Sequence, residues 1–206
     1  MYSERIKEAI ADFSDIYEAA ELSFKIAQPI LGTLDTTLLN EFRYCVRGLR
    51  EFVEELDTSS EDESLARLQR ATHGAKNILN DSVDLLVGYA YQGIGEFNRI
   101  DTGTELIVYI PNLAKILESL ATLHDQIAES RARPNNRVGL YKDISSSPEF
   151  DVVVGFCRMI PILRNKISVE QFRKIKSGKQ FTITIVLTVL GLFIGILGII
   201  LAMLHL

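Results

Sequence analysis

SEDESLARLQRATHGAKNILNDSVDLLVGYAYQGIGEF, residues 60–97, decides the fold class. Ser60 followed by Glu63 is a capping box, in which the hydroxyl accepts from the amide three residues on and the carboxylate reaches back to the Ser60 amide. Behind it Leu65, Leu68, Ala75, Leu79, Leu86 and Tyr89 recur on a helical period, which predicts one amphipathic helix reaching Phe97. Gly88, Gly93 and Gly95 weaken its end, and residues 98–104 read as a turn, with Thr102 and Glu105 a second capping box.

The same period continues on both sides. Ile6, Ile10, Phe13, Tyr17, Ala20, Phe24, Ala27 and Leu31 predict a first helix, which Pro29 and Gly32 stop. Asp35 or Thr36 opens a second, with Leu38, Phe42, Cys45, Leu49, Phe52 and Leu56 on one stripe, which Leu39, Val46 and Val53 widen into a broad face expected to be buried. A fourth carries Leu113, Ile116, Leu117, Leu120, Leu123 and Ile127, with Pro111 kinking it or delaying its start. Four such helices close a bundle over residues 1–130. RARPNNRVGLYKDISSS, residues 131–147, lacks periodicity and is expected to be a linker. Ser147 as cap with Pro148 in the first turn begins a membrane-proximal helix over residues 148–180, interrupted at Pro161. With no strand-length alternation anywhere, the expected architecture is all-α: a cytoplasmic four- to five-helix bundle followed by a single transmembrane helix.

That last helix is FTITIVLTVLGLFIGILGIILAMLHL, residues 181–206, which holds no Asp, Glu, Lys or Arg. At about 1.5 Å per residue it is roughly 39 Å long, against roughly 30 Å of hydrocarbon to cross. Its small residues Thr184, Thr188, Gly191, Gly195, Gly198 and Ala202 follow one another at alternating steps of four and three. Such a seam lets a second helix approach closely where the hydrophobic effect gives no drive to associate. A homo-oligomer is expected.

Arg164, Lys166, Arg173, Lys174, Lys176 and Lys179 precede the span against one acid, Glu170, and nothing charged follows it. The positive-inside rule therefore places residues 1–180 in the cytoplasm of a single-pass protein of the inner membrane. Removing these six bases and one acid from totals of 22 and 27 leaves 16 basic and 26 acidic groups on residues 1–163, a net charge near −10. An acidic domain argues against direct nucleic-acid binding, whereas the basic collar suits anionic lipid headgroups at roughly 1 kcal/mol per Lys or Arg. Cys45 and Cys157 lie far apart within apolar patterns and read as reduced buried thiols.

Arg43, Arg47 and Arg50 share one side of the second helix and could clamp an anionic signal. The competing expectation pairs Arg47 with Glu51 and Arg50 with Glu54 on a solvated face. Arg70, His73, Asn77, Asp81 and Asp84 make a polar stripe on the third helix, opposite its apolar line. His73, His124 and His205 lack the neighbouring ligands a zinc site needs, and no phosphate loop occurs, so neither metal nor cofactor is expected.

RLQRATH, with five residues between Arg67 and His73, resembles the Arg and His motif of HEPN-like helical domains. Residues 35–130 plus the span also resemble, in layout, the membrane accessory proteins of bacterial antiviral, CRISPR-associated systems. That resemblance implies an oligomerising bundle whose membrane part is the toxic element, without an enzymatic step. The expected function is thus a membrane-anchored oligomeric effector that perturbs or permeabilises the membrane in antiviral defence. Two alternatives stand beside it: a tethered adaptor that binds a cytoplasmic protein partner, and a tethered HEPN-type ribonuclease.

Overall fold

The Ser60–Glu63 capping box closes as its spacing predicts. The Ser60 amide donates to Glu63 Oε2 at 3.0 Å, and the Glu63 amide donates to Ser60 Oγ at 3.3 Å. The computed structural model describes residues 3–32, 36–56, 58–99 and 110–168. Its helices are α1 (Glu4–Leu31), α2 (Thr36–Glu55), α3 (Glu61–Arg99), α4 (Leu113–Ala132), a 3-10 turn (Pro134–Asn136), α5 (Arg137–Ser145) and α6, residues 148–168. No strand occurs among the described residues, so the described chain is all-α. With 39 residues, α3 is about 58 Å long and forms the axis of the bundle.

Side-chain bonds fix the direction of each neighbour. At the α3 N-terminus Ser3 Oγ donates to Glu61 Oε1 at 2.9 Å and Arg5 meets Asp62 at 3.3 Å, so α1 runs parallel to α3. Arg67 pairs with Glu55 near that end while Asn77 Nδ2 reaches Glu41 Oε2 at 3.0 Å further along, so α2 runs antiparallel. On the second half of α3, Tyr91 donates to the Leu120 carbonyl at 3.1 Å and Arg131 pairs with Asp84 at 2.8 Å, which makes α4 antiparallel. Cys157 Sγ donates to the Leu86 carbonyl at 3.4 Å and Arg164 pairs with Glu96 at 2.8 Å, which makes α6 parallel.

One hydrophobic core runs from Ile6 on α1 to Ile167 on α6. On α1 the expected line is half right: Phe13, Ala20 and Ala27 are buried, but Ile16, Ser23 and Ile30 join them rather than Tyr17, Phe24 and Leu31. Those three are partly buried at the flank, where Phe24 stacks on Phe42 of α2 at 5.7 Å between ring centroids. Ile10 is 37% exposed.

Small residues bring α2 and α3 together. A Cβ on Gly48 would lie 2.9 Å from the Ala71 backbone nitrogen, and one on Gly74 would lie 3.0 Å from both Cβ and N of Cys45. Further along, a Cβ on Gly93 would meet Ile160 Cδ1 at 2.5 Å. Gly93 therefore seats α6, and α3 continues as helix through Gly88, Gly93 and Gly95 to Arg99 because packing outweighs their poor propensity.

Two expectations are corrected here. Residues 131–147 are not a linker: they form the end of α4, the 3-10 turn and α5, and Tyr141 and Ile144 are 0% and 2% exposed in the common core. Only two fully buried positions mark α5, too few to raise a periodic signal above its Pro, Asn, Gly and Ser. The helix after it is not interrupted at Pro161, since residues 148–168 stay helical. Proline removes one amide, but Phe156, Cys157, Ile160, Leu163 and Ile167 hold both sides of it in the core. The Ser147 cap itself forms, with the Phe150 amide donating to its Oγ at 3.1 Å. The bundle therefore extends past residue 130 to include α5 and α6, and residues 148–168 belong to it.

Among the described residues no helix is long and apolar enough to cross a membrane. The span at 181–206, with the seam from Thr184 to Ala202, lies outside the described residues, as do Thr102, Glu105, Arg173, Lys174, Lys176 and Lys179.

Candidate functional site

The polar stripe of α3 becomes the floor and wall of two adjoining clefts. α2 and α3 diverge on the solvent side of their close crossing, and the gap of about 690 Å³ is lined by Tyr44, Arg47 and Glu51 from α2 and by Arg70, His73 and Asn77 from α3. Gly48 and Gly74 leave its floor without side chains. Arg47 Nε and Arg70 Nη2 both reach Glu51, at 2.8 and 3.4 Å. The hydrogen bond from Arg47 holds the Glu51 carboxyl below the ordinary carboxylate range. Glu41 also lines the cleft, so its two guanidiniums face two carboxylates and the charges balance.

His73 and Asn77 also border a second cleft of about 560 Å³, on the other side of the same ridge. Its walls are Asp12 and Asp15 of α1, Lys76 and Asn80 of α3, and Arg137 and Lys142 of α5, with Lys142 paired to Asp15. The Arg137 guanidinium lies over the Tyr141 ring, 5.5 Å from its centroid. Tyr141 in turn donates to Asp84 Oδ1 at 2.8 Å, while Arg131 takes Asp84 Oδ2 at 2.8 Å. Burial, and then the bond to Asp84, push the Tyr141 hydroxyl above its ordinary range.

The arginine row stays on the outer face of α2 as its spacing predicts. Arg47 pairs with Glu51, and Arg50 reaches Glu54 at 3.6 Å, so two of the three are drawn to carboxylates on their own helix. Arg43 shares a shallow surface with Phe42, Val46, Arg47 and Arg50. Around that row Tyr44 and Val53 are each 63% and Val46 47% exposed, so the buried face of α2 is narrower than expected and leaves both valines outside. Arg164, expected in the lipid collar, pairs with Glu96 and lies 5.7 Å from the Tyr89 ring centroid, and so ties α6 to α3. Lys166 lies on the exposed side of α6.

Arg67 and His73 do not meet. Arg67 Nη1 donates to Ser59 Oγ at 2.9 Å and its other arm holds Glu55, so the side chain turns toward the end of α2. His73 points to the clefts, one and two-thirds turns further along. Among the described residues no three of His, Cys, Asp and Glu are grouped so as to hold a metal ion.

Lys76, Asn80 and Arg137 do not stand out in the sequence. Asn80 is one polar residue among Lys76, Asn77, Asp81, Ser82 and Asp84, and Arg137 stands in the segment whose composition reads as a linker. No protein family, curated protein or solved structure matches the chain.

Proposed function

We propose that the chain is a membrane-anchored helical effector that self-assembles and perturbs the bilayer without catalysing a reaction. The observation that carries this reading is the uncharged segment at residues 181–206 with its line of small residues. A segment of that length and polarity is at home in hydrocarbon, and its seam offers close helix packing to a second copy. The fold is compatible with such a tether: α6 runs parallel to α3, so residue 168 leaves the described bundle at the end where α3 finishes. The headgroup collar is Arg164, Lys166, Arg173, Lys174, Lys176 and Lys179, of which Arg164 also pairs with Glu96.

The test is a paired substitution, Gly191→Leu with Gly195→Leu, read by crosslinking in membranes and by release of dye from liposomes holding the full-length chain. Loss of the higher crosslinked species together with leakage is expected. Unchanged oligomer size and unchanged leakage would sink the assembly reading.

A second reading, a tethered adaptor, draws on the exposed apolar residues Tyr44, Val46 and Val53 set among the arginines of α2. In that case Val53→Glu would abolish capture of a cytoplasmic partner and leave leakage as it is.

A further inference from the structure

The cleft between α1, α3, the 3-10 turn and α5 is lined by two residues with a buried polar atom that finds no partner in the fold. Asn80 is 5% exposed, and its Oδ1 has no hydrogen-bond partner among the described residues. Arg137 Nε is also buried without a partner there. Both residues line the same 560 Å³ space. Folded interiors leave few buried donors or acceptors unmet, so one of each on residues that line the same cleft marks a place where a solute completes the set.

The charges define that solute. Lys142 is neutralised by Asp15, whereas Lys76, Arg137 and Asp12 make no ion pair among the described residues. Two open cations face one open carboxylate on a domain that is otherwise strongly acidic, so the cleft favours an anion. Arg137 is already oriented for one by its seat over Tyr141, itself tied to Asp84. An anion alone leaves the carbonyl of Asn80 unmet, because that atom needs an N–H or O–H donor. Size narrows the choice further: inorganic phosphate fills a small part of the space, whereas cavities of several hundred Å³ suit ligands of nucleotide dimensions.

We propose that this cleft binds a small phosphorylated metabolite bearing hydroxyl or N–H donors, of the size of a nucleoside monophosphate. Its phosphate sits on Lys76 and Arg137 and a donor group meets Asn80 Oδ1. The proposal does not depend on membrane assembly, and either can fail alone.

Isothermal titration of the full-length chain in detergent, with each of the four common ribonucleoside 5′-monophosphates and with inorganic phosphate, tests it. At least one monophosphate should bind, and more tightly than phosphate. Arg137→Gln and Asn80→Leu should each weaken it by about tenfold or more, as loss of one bond to a charged or buried group implies. Because Asn80 is buried, Lys76→Gln serves as a control at a half-exposed position, expected to weaken binding with the melting curve unchanged. The proposal is overturned if no monophosphate binds, if phosphate binds as tightly, or if binding survives both Lys76→Gln and Arg137→Gln.

Discussion

Gly48→Ala tests the closest contact in the bundle, and its sign can be set against the same substitution elsewhere. In a helix interior, exchanging glycine for alanine gains about 1 kcal/mol from backbone propensity. At Gly48 the added Cβ lies 2.9 Å from the Ala71 nitrogen, 3.2 Å from its Cα and 3.3 Å from its Cβ. The first two atoms are backbone, so no rotamer change relieves the clash and α2 must move away from α3. Overpacking of this kind costs about 1–3 kcal/mol. The movement also loosens Cys45, Ala71 and Ala75, all 0% exposed, so the balance is a destabilisation of about 1 kcal/mol, up to about 2.

Gly88 lies on α3 with nothing within 4 Å of the place an added methyl would take, and there alanine should stabilise by about 0.5–1 kcal/mol. A gap of about 2 kcal/mol between the two variants corresponds to about 4–8 °C in Tm for a domain of this size. Urea titration and thermal melting of the full-length chain, followed by circular dichroism, measure it. Gly74→Ala should behave like Gly48→Ala, and the double variant should be non-additive because both sit on one crossing. If Gly48→Ala raises the midpoint as much as Gly88→Ala does, the close approach of α2 to α3 is wrong.

Burial pushes the Cys45 thiol up to about 11 and the Cys157 thiol up to about 12. At pH 8 a thiol reagent should therefore react with neither in the native chain and with both in guanidinium. Since the folded state holds these protons more tightly, the associated stability is present below the ordinary thiol value of 9.0 and is lost as pH rises towards 11 and beyond. A steeper alkaline decline in wild type than in Cys45→Ala with Cys157→Ala is the expected signature. Two residues before Leu86, Asp84→Ala removes the acceptor of the fully buried Tyr141 hydroxyl and should cost about 1–3 kcal/mol. In a cycle with Tyr141→Phe the two changes should couple by more than about 0.5 kcal/mol, and simple additivity would show that the bond contributes nothing.

The long third helix could be recognised from sequence because its information is local. Ser60 and Glu63 cap each other across three residues, and the apolar line from Leu65 to Leu86 repeats within single turns. The pairing of Arg47 with Glu51 was legible for the same reason, being one turn apart on one helix. Where the decisive partner lies far away in the chain, sequence misled. Arg164 reads only as a collar residue, and nothing local shows that it also pairs with Glu96, 68 positions earlier. Pro161 reads as a break until the core on both sides is seen to keep the helix whole. The α5 segment has the composition of a loop, yet Tyr141 reaches back 57 positions to Asp84.

Sequence by itself thus determined the all-α class, where α1, α2, α3 and α4 lie, and part of the faces they bury, since periodicity and caps act over one or two turns. It also supplied the uncharged segment 181–206 on which the membrane reading rests. Tertiary structure alone decided that glycines 48, 74 and 93 are contacts rather than weak points, and that α5 and α6 share the core. It alone brought Asn80 and Arg137 to one cleft. Those outcomes depend on distances between residues remote in the chain, which helical packing sets and no local pattern encodes.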